Sequence, residues 1–295
     1  MNKVFKFARY YCCRLFGFFA YYSKEECVKA FVDYMNERAR AIGAKTATFG
    51  EPSGYWSKQS KASARDMLHI FVHAAGIRQI TEIWNKREYE MCVTGPRKRT
   101  VTIKSTVNYD KYDASLYPVL GVKTGTEPGV TYNLALCACV PDGRSLAYVC
   151  LGASDDDARW RDAMLVMESF QKGNPVLLSE VSASSVAVCQ LPSNPIMYDN
   201  FGFELFLDKD IDVLGIPASL TKIMSLICAV DYISCFDEKV KICQSDIVLG
   251  SGNNLKKGDL VTLKDLFYDM LLPSSNTAAM AIARHIGRRI LKSRR

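Results

Sequence analysis

The sequence predicts an α+β fold in which an antiparallel sheet is flanked by helices and accompanied by a helical subdomain. The chain has 295 residues, of which 48% are hydrophobic and 23% charged, and this excludes disordered, collagen-like and disulfide-miniprotein classes. Apolar residues recur at helical spacing towards both ends of the chain. Period-two alternation and a Pro-Asp-Gly turn mark the region between them.

Capping signals predict the first two helices. The segment Ser23 to Glu26 (SKEE) forms a capping box, and apolar residues at helical spacing follow it as far as Gly43. The segment Ser63 to Asp66 (SARD) opens a second helix, which is predicted to run to about Ala75.

The sheet is predicted from alternation and from one turn. Residues 100–106 alternate with period two. Residues 133–140 and 144–151 flank the turn Pro141 to Gly143, which indicates a hairpin. A helix over residues 155–170, capped by Ser154, is predicted to follow.

The remaining chain is predicted to return to strands and then to helices. Residues 171–185 are rich in turn formers and small polar residues, which is typical of a connector. Strand texture resumes at Val186. Further helices are predicted to begin at Pro217, Thr262 and Thr277.

These elements predict one domain over residues 23–295, preceded by a leader over residues 1–22. The domain is divided into a helical part and a sheet part, which comprise residues 23–98 with 226–295 and residues 99–225, respectively. The leader is basic and aromatic, and the charges at Lys6, Arg9 and Arg14 make a signal peptide unconvincing. Two interpretations stay open, peripheral contact with a membrane interface and a leader that packs on the domain or is disordered.

The net charge and the cysteines limit which partners the protein can bind and which sites the cysteines can form. A net charge of +7 is too small to imply nucleic acid, and no nucleic-acid partner is predicted. The eleven cysteines include no C-x-x-C pair, and their odd number leaves at least one thiol free. Four lie in apolar runs and are predicted to be small buried hydrophobes, with a disulfide network or a zinc site as alternatives; they are Cys137, Cys139, Cys150 and Cys228.

Three short motifs carry candidate chemistry. In Ser219 to Lys222 (SLTK), the i, i+3 spacing places the serine Oγ and the lysine Nζ on one face of the helix that Pro217 introduces. Ser274 to Asn276 (SSN) follows a proline and either projects polar side chains or simply caps the next helix. In Gly121 to Gly125 (GVKTG), the last glycine lets a ligand approach a strand edge, although an exposed strand lysine is the simpler interpretation.

Together the three motifs resemble the signature set of the penicillin-recognising serine enzymes. The segments around them, PASLTKIM from Pro217, LLPSSN from Leu271 and LGASDDDAR from Leu151, resemble low-molecular-weight penicillin-binding proteins that act as serine-type D-alanyl-D-alanine carboxypeptidases. The resemblance covers about residues 23–170 and 185–287. It implies a penicillin-binding-protein/β-lactamase-like transpeptidase fold.

The order of the motifs departs from that family. There the order is S-x-x-K, S-x-N and K-T-G, whereas here Lys123 precedes both Ser219 and Ser274. A cyclic order restores the family pattern, so the chain is predicted to be circularly permuted, with the original ends joined through about residues 171–185. A fragment of a tandem duplication and a mis-assembled gene are the alternatives.

The resemblance implies a role for each motif residue, with no cofactor and no metal. Ser219 would be the nucleophile that attacks a peptidoglycan stem peptide ending in D-Ala-D-Ala, Lys222 its base and Ser274 a proton relay. The substrate would be bound by Asn276, Lys123, Thr124, Gly125 and Thr126. β-Lactams would trap the same serine. Ser275 and Thr277 depart from the Gly and Asp usual in the family. The location that the resemblance implies is extracytoplasmic, at the cell wall or the outer face of the cytoplasmic membrane.

Other functions fit the sequence less well. The alternative from another class is a catalytically inactive peptidoglycan-binding protein or a fragment of a rearranged gene. A β-lactamase is disfavoured because no E-x-x-L-N segment follows the second motif in cyclic order. A zinc pair at His69 and His73 is disfavoured because Ile70 replaces the required glutamate.

Overall fold

The computed structural model describes residues 22–55, 59–108, 110–191 and 204–294. The predicted leader, apart from Tyr22, lies outside these residues. No helix within the described ranges combines the length and the apolar character needed to span a membrane.

The described chain contains both helices and strands along its length. The helices are α1 (Lys24–Ala41), α2 (Ala64–Ala75), α3 (Arg78–Thr81), α4 (Ala158–Lys172), α5 (Thr221–Val230), α6 (Leu263–Leu271) and α7 (Asn276–Ser293). The strands are β1 (Glu88–Val93), β2 (Arg99–Lys104), β3 (Val119–Glu127), β4 (Thr131–Cys139), β5 (Ser145–Ala153), β6 (Ser185–Gln190), β7 (Leu205–Lys209), β8 (Lys239–Lys241) and β9 (Leu260–Thr262).

The main sheet of the described chain has the order β3-β4-β5-β6-β7, and every neighbouring pair is antiparallel. The predicted hairpin is confirmed, with Ala135 paired to Val149 across β4 and β5. Successive residues of a strand point to opposite faces, so Ala135 and Val149 join the core shared with the helical part, while Leu134 and Tyr148 pack with Trp160 of α4. The antiparallel sheet flanked by helices confirms the predicted α+β class.

Helix α5 lies at the centre of the helical part, and every residue from Thr221 to Ala229 is buried. Around it pack α1, α6 and α7. The predicted capping boxes at Ser23 and Ser63 are both present. Local capping signals and apolar spacing therefore account for how these helices begin and which faces they bury.

The predicted cap of α4 was wrong. The helix begins at Ala158, and the Asp155 carboxylate, not the Ser154 hydroxyl, accepts the Ala158 N–H at 2.7 Å. The longer aspartate side chain reaches the free amide, while the Ser154 hydroxyl donates to Asp155 at 3.2 Å. Carboxylates are stabilised at helix N-termini, which explains the acidic run there.

A hairpin separate from the main sheet contains β1 and β2, which pair with each other from Glu88 to Lys104. Thr94, next to β1, forms a bridge to Leu260 of β9. Strand β1 was not among the predicted elements. The domain boundary placed after residue 98 therefore falls inside a hairpin, and the boundary after residue 225 falls inside α5.

The cysteines of the described residues are free thiols. Cys137, Cys150 and Cys228 are buried as predicted, whereas Cys139 is half-buried. Burial raises the pKa of the Cys150 thiol to about 12. Within the described ranges, no cluster of His, Cys, Asp or Glu side chains could hold a metal ion.

Candidate active site

The first motif lies where a 3₁₀ turn, Ala218–Leu220, leads into α5. Ser219 belongs to this turn rather than to the helix itself, and Lys222 is the second residue of α5. Their spacing brings Lys222 Nζ within 2.9 Å of Ser219 Oγ. The preceding Ala218 has a φ of 47°, a left-handed conformation that is costly for a residue with a side chain.

Lys222 is completely buried, and its Nζ is held by oxygens from three separate segments. Besides Ser219 Oγ, it contacts the Ser53 carbonyl at 2.7 Å and Asn276 Oδ1 at 2.9 Å. Burial lowers the pKa of Lys222 to about 7, and the charge of Glu51 opposes this shift. A lysine with this pKa exchanges its proton near neutral pH.

The turn from Glu51 to Tyr55 presents the Ser53 carbonyl to Lys222. The Glu51 carboxylate orders the turn by accepting the N–H groups of Ser53 and Tyr55, each at 2.9 Å. Gly54 has a φ of +79°, and a Cβ there would lie 1.9 Å from the Ala218 carbonyl oxygen. Only glycine lets this turn pack so closely against the turn that carries Ser219.

The second motif forms the loop between α6 and α7. Ser274 has a φ of 62°, and Asn276 Nδ2 donates to the Leu249 carbonyl at 3.2 Å while its Oδ1 faces Lys222. Ser275 caps α7 by accepting the Ala278 N–H at 3.2 Å. Both interpretations of this motif therefore apply, because Ser275 caps the helix while Asn276 contacts Lys222.

The two departures from the family pattern have local partners. Ser275 provides the cap of α7. The Thr277 hydroxyl accepts the Val248 N–H at 3.2 Å and lies 3.3 Å from the Val248 carbonyl. Neither side chain displaces Ser274 or Asn276 from the lysines that they contact.

The third motif lies on β3. Lys123 is buried, and its Nζ donates to Ser274 Oγ at 3.0 Å and to the Thr124 carbonyl at 2.8 Å. Burial lowers the pKa of Lys123 well below its usual range, and the charges of Lys222 and Arg159 lower it further. A Cβ at Gly125 would lie 2.7 Å from the Pro217 carbonyl oxygen, so glycine permits the close approach of β3 to the turn of Ser219.

Arg159 is a site residue to which the sequence analysis gave no role. Its guanidinium is buried and donates to Thr126 Oγ1 at 2.8 Å and to the Asn133 carbonyl at 3.2 Å. An ion pair of 2.5 Å with Asp156 holds its other side. The only signal in the sequence was its place in the segment that follows the hairpin.

A cleft of about 440 Å³ opens above the buried lysines. It is lined by Gly54, Tyr55, Thr126, Glu127, Pro128, Val130, Ser219, Gly250, Ser251 and Asn276. The structure thus brings Ser219, Lys222, Ser274, Asn276 and Lys123 together and places Thr126 on the cleft wall. Thr124 is buried and contributes its carbonyl oxygen.

A sequence profile of the family described as D-alanyl-D-alanine carboxypeptidase matches residues 26–155 and 175–288. These two segments cover most of the chain and contain all three motifs. No curated protein and no solved structure gave a match.

Proposed function

The chain belongs to the D-alanyl-D-alanine carboxypeptidase family of serine hydrolases, and from this premise we propose that it removes the terminal D-alanine of peptidoglycan stem peptides through an acyl-enzyme on Ser219. The observation that carries the proposal is the contact of Lys222 Nζ with both Ser219 Oγ and Asn276 Oδ1 at 2.9 Å. A nucleophile and a base within hydrogen-bond reach, with the base oriented by a third group, form a nucleophilic site.

The first chemical step uses Lys222 as the proton acceptor. With a pKa of about 7, a large fraction of this amine is neutral at neutral pH, so its lone pair can take the Ser219 proton. Ser219 Oγ then bonds to the carbonyl carbon between the two D-alanines. The backbone N–H groups of Ser219 and Thr126, two residues of the cleft wall, are the proposed donors to the oxyanion.

The second step breaks the peptide bond. Ser274 Oγ, which is hydrogen-bonded to Lys123 at 3.0 Å, is proposed to deliver its proton to the leaving amine of the terminal D-alanine and to recover one from Lys222. The proton first taken from Ser219 is thereby passed on to the amine, and Lys222 is neutral again. Water then attacks the ester carbonyl and gives a proton to Lys222, which restores the Ser219 hydroxyl. A β-lactam would form the same ester with Ser219.

Substrate orientation is assigned to the β3 side of the cleft. Lys123 and the hydroxyls of Thr124 and Thr126 are the proposed partners of the terminal carboxylate. Arg159, which donates to Thr126 Oγ1 at 2.8 Å, fixes that hydroxyl and adds positive charge. An anionic group is attracted by such a concentration of cationic groups at a cleft wall.

Membership of the family supports a proposal for the compartment and the partner. Its enzymes act on the cell wall, outside the cytoplasm. We propose that this chain acts there on stem peptides ending in D-Ala-D-Ala, with β-lactams as inhibitors and with the basic segment 1–22 in contact with a membrane surface.

Circular permutation is the proposed origin of the motif order. In support, α7 and α1, which the family order would connect, pack directly together. A Cβ on Gly287 of α7 would lie 1.8 Å from the carbonyl oxygen of Cys27 of α1. A rearranged chain in which residues 175–294 precede residues 23–172 should fold and bind penicillin. A rearranged chain that takes up no label, while the natural order is labelled, contradicts the permutation alone.

The experiment that tests the function is covalent labelling by a fluorescent penicillin, together with D-alanine release from a stem pentapeptide. We expect label on the wild type, none on Ser219→Ala, and normal label on Ser251→Ala, which changes another serine of the cleft wall. An unlabelled wild type, or equal label on Ser219→Ala, would overturn the proposal. Rapid hydrolysis of nitrocefin would favour a β-lactamase.

A further inference from the structure

A buried carboxylate lies directly behind the second-motif loop. Asp269 of α6 has no solvent exposure, and its backbone carbonyl accepts the Ser275 N–H at 2.9 Å. Its Oδ1 accepts Asn254 Nδ2 at 2.8 Å. Asp269 therefore joins the loop that carries Ser274 to a second loop, residues 249–254.

This second loop holds the amide of the second motif. The Leu249 carbonyl accepts Asn276 Nδ2 at 3.2 Å, and the Ser251 carbonyl accepts the Asn276 N–H at 3.4 Å. A Cβ at Gly252 would lie 2.6 Å from Ser275 Cα, so the two loops are in close contact. Asn254 is the residue through which Asp269 reaches this loop.

Packing alone does not explain why a carboxylate is buried at Asp269 or why Ser274 has a strained backbone. Among the described residues, no donor meets hydrogen-bond geometry with Asp269 Oδ2, although the Ser275 side chain is close enough to lower the pKa of the carboxyl. An incompletely satisfied buried carboxylate is destabilising. Ser274 has a φ of 62°, a conformation that persists only where its surroundings impose it. Asp269 is thus a destabilising group that lies beside the strained loop of Ser274. This arrangement indicates that Asp269 positions the loop.

We propose that Asp269 is a positioning residue that, through Asn254, holds the two loops in the arrangement that presents Ser274 and Asn276 to the cleft. The inference rests on the proposed function, because it assigns a purpose to the geometry of the second motif. The ionised carboxylate is the active form, since a charge-assisted hydrogen bond to the Asn254 amide is stronger than a neutral one.

Titration gives this role a measurable signature. Burial raises the pKa of Asp269 to about 6, with a further rise from Asp265 on the same helix, and the side chains of Asn254 and Ser275 oppose it. The other charged groups nearby are already engaged. Arg99 of β2 donates to the Asn254 carbonyl and pairs with Asp259, and Lys123 of β3 donates to Ser274.

The experiment measures the rate of penicillin acylation from pH 4.5 to pH 8. Two groups, Lys222 and Asp269, must both lose a proton, so the logarithm of the rate in the wild type should approach a slope of about two below pH 6. Asp269→Asn should give a slope of about one, with a rate at pH 7.5 reduced about 10²-fold, as expected when the reacting groups are misplaced. Asp265→Asn is the matched control, because Asp265 is buried on the same helix but contacts Tyr89 and Thr262 instead of the loop. It should keep the steeper slope.

A second variant tests the same link from its other end. Asn254→Ala removes the donor to Asp269, so the lower of the two proton steps should move to higher pH. A slope near two in Asp269→Asn, or an unmoved step in Asn254→Ala, overturns the positioning role. If Asp269→Asn does not fold, the shift in Asn254→Ala decides. Label on the wild type with unchanged pH profiles in both variants rejects only this inference, whereas an unlabelled wild type rejects the proposed function.

Discussion

The two walls of the cleft each bury one lysine, but they hold it differently. On the helical wall, Lys222 contacts three oxygens that come from three distant segments of the chain. On the sheet wall, Lys123 contacts a carbonyl of its own strand and Ser274, and the cations Lys222 and Arg159 act on it. Both lysines are almost inaccessible to solvent.

This difference fits the two chemical tasks proposed for the lysines. Burial brings the pKa of Lys222 to about 7 against the opposing charge of Glu51, and a base with this pKa works best at neutral pH. The groups that act on Lys123 are cations, and Lys123 lies on β3, which borders the cleft. This environment suits an anionic group of a substrate. These surroundings fit the roles proposed above, with proton transfer at the helical wall and substrate binding at the sheet wall.

The largest expected effect comes from exchanging each lysine for methionine. Lys222→Met should reduce the penicillin acylation rate by about 10³-fold to 10⁴-fold, because the general base is lost. Lys123→Met should reduce it by only about 10²-fold, mainly through weaker binding of the carboxylate, as expected for one buried charged hydrogen bond. Stopped-flow labelling over a range of penicillin concentrations separates the two effects.

Circular dichroism should show that both variants remain folded, and Lys239→Met, at an exposed position of β8, should acylate normally. Equal losses in Lys222→Met and Lys123→Met, with the same dependence on penicillin concentration, would show that the two walls do not divide the tasks.

The sequence could predict the residues of each wall better than their surroundings. The spacing of Ser219 and Lys222 placed both groups on one face, and the hairpin and capping signals placed the strands and helices. The Ser53 carbonyl could not be predicted, because every residue carries a carbonyl and this one lies 169 positions from Lys222. The same holds for the contact between Asp269 and Asn254, two ordinary polar residues in a helix and a loop.

Glycines at the junction of the walls give the next effect. Gly54→Ala would place a Cβ 1.9 Å from a backbone oxygen at a φ of +79°, so the backbone must move, at a cost of about 3 kcal/mol in the free energy of unfolding. Gly125→Ala has an ordinary φ and a contact of 2.7 Å, and should cost about 1 to 2 kcal/mol. Urea unfolding measures both values.

The control for backbone strain is Gly129→Ala, where φ is +75° and no atom lies within 4 Å of the added Cβ. It should cost about 1 kcal/mol from strain alone and leave acylation unchanged. If Gly54→Ala cost no more than Gly129→Ala, the helical wall would not depend on the close contact between its two turns.

The last predicted effect is a change in the free energy of unfolding with pH, which comes from the buried Lys222. The pKa of Lys222 is about 7 in the folded protein and about 10.4 when the chain is unfolded. Between these values the unfolded state binds a proton that the folded state does not. The free energy of unfolding should therefore rise with pH in this window and level off below pH 7, by about 1.4 kcal/mol per pH unit for each such lysine. Urea unfolding at pH 7, 8 and 9 should therefore show a slope that falls by one lysine's share in Lys222→Met. Lys239→Met should leave the slope intact. A wild-type slope that persists in Lys222→Met would mean that the helical wall keeps its lysine charged, and the assignment of proton transfer to that wall would fail with it.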